Sequence, residues 1–329
     1  MKHWICVGLI TGALAAFPVH AQTNAELTGL WEAKRYAELE RAAMKRLSVR
    51  NDDAEAYRAL ARAATGQRDA ARRDAALKTF EACTERHPTL ALCSYGVGSV
   101  LGVQLMANGV SLKAMMSVGR VRDNLQKAID LDATLFAARL ALVQFYMAVP
   151  TVAGGSSGKA SELVQAINGS QPEGARVLRA FVLLMQKKEA DAELELSAFR
   201  PVADAEVNDA ALQIWRGIAF GHVNNGQSIR ARPMFERMVR EQPQLAIGEF
   251  GLARVRFEAG ELDAAIAAYE KSAGLLGADE LPIDYRLGLA LLQKGERERG
   301  KAALERFVLA ARGNANQLSD AKKRLAALG

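Results

Sequence analysis

Residues 209–243 read DAALQIWRGIAFGHVNNGQSIRARPMFERMVREQP, and this stretch decides the fold. Trp215, Ile218, Ala219 and His222 share the i, i+3, i+4, i+7 spacing of one helical stripe, which Asn224, Asn225 and Gly226 bring to an end. A second helix follows, with Ala231, Phe235 and Met238 on one face. It stops at Gln242 and Pro243, because proline has no N–H to donate and a fixed φ. Neither helix can cover its own apolar stripe. A unit of about 34 residues built this way must stack on further units to bury what it exposes.

Similar units lie on both sides. Residues 246–277 align Leu252, Ala253, Gly260, Ala265 and Tyr269, and residues 281–312 align Leu287, Gly288, Gly295, Gly300 and Leu304. Gly226, Gly260 and Gly295 fall where the chain must reverse with no side chain in the way. Toward the N-terminus, Asp52 and Asp53 offer an N-cap for a helix carrying Tyr57, Leu60, Ala61 and Ala64. Its partner carries Ala76, Phe80 and Cys83 and ends at His87 and Pro88. The third unit, around Leu92, Tyr95, Gly98 and Leu101, is expanded by an insertion at 105–120 that holds Met106, Met115 and Met116. Those methionines either form an adaptable binding surface or extend the core. Weaker units follow around Leu140, Val143 and Tyr146, and around Leu178, Phe181 and Val182, the latter followed by Arg200, Pro201 and an acidic linker to Asp209. An irregular opening unit contains Trp31 and Tyr36, and a closing helix is expected at 318–328. The expected architecture is an all-α solenoid over residues 22–329, with about eight helix pairs and a C-terminal capping helix.

Residues 1–21 have a different character. Lys2 precedes an apolar run from Trp4 to Phe17, and Val19 and Ala21 supply small residues for processing. This pattern predicts a signal peptide cleaved after Ala21, hence a periplasmic or secreted protein. The run is shorter than the ~20 residues that span a bilayer, so no integral membrane segment is expected after cleavage. The whole chain has 43 basic and 37 acidic residues, a formal charge of +6, and removal of Lys2 leaves 42 against 37. With both signs interleaved, that excess makes no basic stripe for nucleic acid. Cys6 leaves with the leader, and Cys83 and Cys93 remain. In an oxidising compartment they read as a disulfide, the alternative being two buried thiols.

Residues 153–160, AGGSSGKA, resemble a phosphate-binding loop. Such a loop needs a strand before it and a hydroxyl directly after the lysine, whereas here a helix precedes it and Ala160 follows Lys159. An elongated helix–helix turn is the expected role. His87 and His222 lie in distant units, no metal-ligand spacing occurs, and the paired carboxylates fall at caps and solvated faces. No catalytic residue, cofactor or metal is expected.

Trp215, Ala219, Ala231, Phe235 and Pro243 stand where the tetratricopeptide repeat (TPR) family places its early aromatic, small packing residues, second aromatic and terminal proline. The chain resembles that family best over residues 209–243, 246–277 and 281–312, and more weakly from Asn24 onward. Phe145, Tyr146, Pro150, Gly154, Gly155, Lys159 and Ala160 are similar to a longer repeat variant in exported proteobacterial members. The resemblance implies a right-handed superhelix whose first helices line a concave groove for peptides, helices or folded partners. It implies no chemistry. Some members clamp a terminal carboxylate with lysine and asparagine, but the inward positions Gln213, Arg216 and Phe220 lack that pattern.

The expected function is therefore a non-catalytic scaffold or adaptor in the cell envelope that binds another protein or peptide in its groove. The alternative is an accessory component of a transport or export system that binds a small ligand or presents it to a permease. An open groove rich in aromatic and arginine side chains favours the first, and a large enclosed apolar cavity or a fixed trimer favours the second. Arg216, Phe220, Phe250, Arg254 and Phe257 are the candidate partner-binding residues. The competing possibility is that these aromatics pack between adjacent first helices.

Overall fold

The computed structural model describes residues 19–108, 112–310 and 314–328. Among the described residues the chain forms seventeen α-helices, arranged as eight successive pairs and a final helix. The pairs are α1 (Val19–Glu32) with α2 (Tyr36–Val49), α3 (Ala54–Gly66) with α4 (Ala70–Arg86), α5 (Ala91–Asn108) with α6 (Leu112–Leu131), and α7 (Phe136–Ala148) with α8 (Ser157–Gln165). They continue with α9 (Pro172–Met185) and α10 (Glu189–Ser197), α11 (Ala205–Asn224) and α12 (Ser228–Glu241), α13 (Ala246–Glu258) and α14 (Leu262–Ala273), and α15 (Ile283–Lys294) and α16 (Arg297–Ala310). The last helix, α17 (Ala315–Leu328), covers α16 and begins slightly before the expected closing helix. Most of the expected signal peptide lies outside the described residues, and α1 runs across the expected cleavage point.

The repeat register has a direct packing cause. Phe80 on α4 is fully buried and its ring lies over Gly96, while Phe235 on α12 lies in the same way over Gly251. A Cβ on Gly96 would stand 2.0 Å from the Phe80 ring, and one on Gly251 would stand 2.1 Å from the Phe235 ring. Each aromatic of a second helix thus fills a notch in the first helix of the next unit. Tyr269, Leu125 and Leu304 are the corresponding buried side chains in other units. Burial of each contributes about 2 kcal/mol by area transfer.

The turns follow the expected chemistry where the repeat is regular. Gly226, Gly260 and Gly295 take φ of +73°, +75° and +90°. In the first and fifth pairs the corresponding left-handed position is held by Lys34 and Lys187. Asp53 caps α3 by accepting from the Ala56 amide at 3.1 Å. Pro233 lies inside α12, which frees the carbonyl of Ile229 one turn earlier, where the chain is strongly exposed to water.

The expected insertion at 105–120 spans the end of α5 and the start of α6, helices of 18 and 20 residues, and residues 109–111 within it lie outside the described ones. Met106 is exposed, and the side chains of Met115 and Met116 lie outside the described ones. One expectation needs correction: α11 begins at Ala205, inside the acidic stretch expected to be a linker to Asp209. Asp204 caps α11 by accepting from the Glu206 amide at 2.8 Å, so Glu206 and Asp209 sit in the first turns of that helix.

First helices of successive units touch along the whole series, and α7 also touches α11. The curvature is tight enough to bring α11 of the sixth unit back to the first two units. Arg58 and Arg62 of α3 reach Glu206 of α11, and Lys34 lies 3.9 Å from Asp209.

Candidate functional site

The concave face begins with small residues. Gly98 and Gly102 on α5, and Ala137 and Ala141 on α7, are spaced i, i+4 and line the same hollow. Larger apolar side chains, among them Leu105, Phe181, Leu184 and Ile214, form the rest of the wall. The result is a cavity of about 720 Å³, within the range of small-molecule sites.

The first two pairs complete this wall from the N-terminal side. Glu206 is buried, and its carboxylate accepts from Arg58 Nη1 at 3.0 Å and from Arg62 Nε at 3.0 Å. The Arg62 guanidinium in turn lies 4.0 Å from the centre of the Trp31 ring. Charge, stacking and burial therefore meet at one junction across which the sequence separation exceeds one hundred residues.

A second cleft of about 390 Å³ abuts the first and shares Trp31, Lys34, Tyr36, Asp209 and Gln213 with it. This cleft is polar, adding Arg216, Gln244, Glu241 and Glu280. Burial first, then the charges of Glu280 and Asp209, push the Tyr36 phenol up to about 12, so Tyr36 remains a hydroxyl donor at neutral pH.

No family model and no curated protein matches the sequence. Among solved structures, yeast Tom70 is similar over 90% of this chain and 59% of its own, at 14% identity and a TM-score of 0.59. The Cut9-Hcn1 hetero-tetramer of the APC/C is similar over 92% of this chain and 55% of that chain, at 13% identity and a TM-score of 0.50. The fold is that of a TPR solenoid. The chain spans little more than half of the Tom70 and Cut9-Hcn1 chains it matches. A tetratricopeptide repeat protein from Parabacteroides merdae ATCC 43184 is covered over 99% of its length, with 82% of this chain, 14% identity and a TM-score of 0.46.

Within this TPR solenoid the five expected partner-binding residues divide. Phe250 is buried at 4% exposure and is not a binding surface. Its ring lies 6.0 Å from that of Phe220 and 5.8 Å from that of Tyr269, so it packs between neighbouring first helices and the second helix of its own unit. Phe220 is half-buried and stacks on Phe235 at 4.8 Å, which also makes it chiefly a packing residue. Phe257 is half-buried against the cluster around Phe250. Arg254 donates to Asn224 Oδ1 at 3.0 Å and lies over the Phe220 ring at 5.8 Å. Burial, then the charge of Arg286, pulls its pKa below the usual value. Arg216 is the exception. It faces the polar cleft beside Tyr36, in the same wall as Gln213.

Other expectations resolve locally. Cys83 and Cys93 are paired, with Cα atoms 5.4 Å apart, joining the end of α4 to the start of α5. His222 is buried; its Nδ1 lies 2.9 Å from Gln227 Oε1 and its Nε2 lies 3.2 Å from Glu193 Oε2, so it ties α11 to α10. In the glycine loop, the Gly155 amide donates to the Pro150 carbonyl and the Ser156 amide to the Tyr146 carbonyl. Ser156 Oγ caps α8 by accepting from the Lys159 amide. The amides of Gly154, Gly155, Ser156 and Lys159 are therefore engaged within the turn and are not free to cradle a phosphate. Among the described residues, no cluster of His, Cys, Asp or Glu is placed to hold a metal, and no helix is long and apolar enough to cross a membrane.

The cavity itself was not singled out from the sequence. Its signal was present as small residues on the inward faces of α5 and α7, a pattern that marks space rather than contact.

Proposed function

We propose that this TPR solenoid is a non-catalytic binding component of the cell envelope that holds its ligand inside its concave face. This matches an accessory component of a transport or export system better than an adaptor with an open groove. The observation that carries the reading is the apolar cavity of about 720 Å³ behind the Glu206 junction. An apolar hollow with few polar groups is built for binding, because desolvated polar walls would have to be matched one by one. The Ser99 hydroxyl in its wall donates to the Gly96 carbonyl of its own helix, and neither His87 nor His222 lines the cavity. A nucleophile with a base is thus not assembled there. The export signature of residues 1–21 and the Cys83–Cys93 pair support a location in the envelope.

Photo-crosslinking tests the reading. A photoreactive residue replacing Phe181 or Leu184, both already large side chains of the wall, in the expressed full chain is expected to form an adduct, while one replacing the exposed Ile229 on α12 is not. Adducts at Ile229 with none at either cavity position would move binding to the convex surface.

A further inference from the structure

We infer that the cavity takes a single-chain amphiphile, with its hydrocarbon chain among α5, α7 and α9 and its polar end in the cleft beside Lys34, Tyr36 and Arg216. This rests on the reading of the concave face as the binding site and adds the chemistry of the ligand. Three observations select that chemistry.

The first is size. A helix about 10 Å across that rises about 1.5 Å per residue sweeps roughly 120 Å³ per residue, so the cavity would hold about six residues, fewer than two turns. An amphipathic helix long enough to be recognised by its face does not fit within it.

The second is the scarcity of hydrogen-bonding partners. An extended peptide would bring a donor and an acceptor for every residue it buried, and each would need a partner. The Thr65 and Ser99 hydroxyls in the wall already donate to the carbonyls of Ala61 and Gly96 on their own helices. Arg62 is paired with Glu206 and Lys34 with Asp209, so of the charged groups in the wall these are already engaged with one another, and Gln144 and Gln213 add too little to satisfy a buried strand. A hydrocarbon chain makes no such demand.

The third is the arrangement of the two hollows. The apolar cavity and the polar cleft share a boundary at Trp31, Lys34, Tyr36, Asp209 and Gln213. Trp31 and Tyr36 each combine an apolar ring with a polar tip, the residue types suited to a wet–dry boundary. A molecule that is apolar along most of its length and polar at one end matches that sequence of environments.

The test uses the purified full chain and a fluorescent long-chain polyene fatty acid, together with mass measurement of the crosslinked adducts described above. Saturable binding of about one probe per chain is expected. Shortening competing fatty acids by two methylenes should weaken them about tenfold until the chain no longer reaches the cavity floor. Ala141→Trp fills the hollow and should weaken the probe at least about tenfold. Gly102→Leu is a second filling variant, since the added side chain starts in ordinary contact with Val121 and its fold is checked by helical content. No saturable binding to the wild-type chain, or full binding to both filled and folded variants, overturns the inference. Adducts of protein mass at Phe181 or Leu184 would keep the concave site but sink the amphiphile. The absence of any adduct there removes both.

Discussion

Glu206→Gln should loosen the first two units by releasing α3 from α11. In the native chain the Glu206 carboxylate accepts from Arg58 Nη1 at 3.0 Å and lies 2.9 Å from Arg62 Nη2, with a further bond from Arg62 Nε at 3.0 Å. Its side chain is 9% exposed and those of the two arginines 24% and 16%, so all three groups have lost much of their water. Breaking a buried charge pair typically costs about 3–5 kcal/mol, and the residual exposure of the arginines lowers this to roughly 2–4 kcal/mol. A solenoid does not lose that energy evenly, because each unit is held mainly by its neighbours. The cost should appear as easier local opening of the first two units. Native-state hydrogen exchange of α3 amides should accelerate by roughly 30- to 1000-fold, the same energy expressed as an equilibrium ratio. Amides of α15, two units beyond the junction, should keep their wild-type rates. Replacing Arg58, Arg62 and Glu206 together with methionine should recover much of the protection, since no charge is then left unpaired. Exchange of α3 within about threefold of wild type in Glu206→Gln would refute the claim that this junction closes the arc.

Thiol labelling of the unfolded, non-reduced protein should find Cys83 and Cys93 unreactive, and two labels per chain would contradict the pairing; reduction should cost about 2–3 kcal/mol for so short a loop. Titration with magnesium and ATP should give only the heat of dilution, and a saturable isotherm lost in Lys159→Ala would reopen the glycine turn as a nucleotide site. Gly251→Ala should destabilise the α12–α13 junction by about 1–3 kcal/mol because the new methyl enters the Phe235 ring, and an unchanged denaturation midpoint would show that the ring can retreat. The Asp53 carboxyl is pushed up by burial, but the hydrogen bond from Arg46, the Ala56 amide and the Arg50 charge together hold it below the usual carboxylate range. Its stabilisation is therefore complete above about pH 4, the unfolded value, and fades as pH falls through the lower folded value. Asp53→Asn should flatten that part of the acid-denaturation curve, and an unaltered curve would exclude Asp53 as its source.

The repeating units were readable because each of their signals is local. Asp53 caps the helix that follows it, Gly226, Gly260 and Gly295 reverse the chain by adopting positive φ, and Cys83 and Cys93 stand at facing helix ends. Closure of the arc is a different kind of fact. The approach of α7 to α11, or of Arg62 to Glu206, is the sum of several unit-to-unit rotations, and no residue within one unit encodes that sum. The burial of Phe250 was not legible for a related reason. A helical register gives a direction to within roughly one 100° step, and Phe250 sits where that uncertainty separates the groove from the layer shared with Phe220 and Tyr269.

The acidic stretch before Asp209 shows how the two kinds of information meet. Next to Pro201 and rich in Asp and Glu, it had the composition of a linker, yet Asp204 accepts from an amide there and starts α11 early. A carboxylate in the first turn of a helix is favoured by the unpaired amides and by the dipole at that end. Glu206 is thus placed by a local preference, and only the curvature of the whole solenoid brings Arg58 and Arg62 to it. With that contact the concave face becomes a hollow bounded on both sides; without it the same residues would line an open groove. The choice between a ligand-holding protein and an open adaptor therefore turns on a side chain whose position was locally determined and whose partner was not.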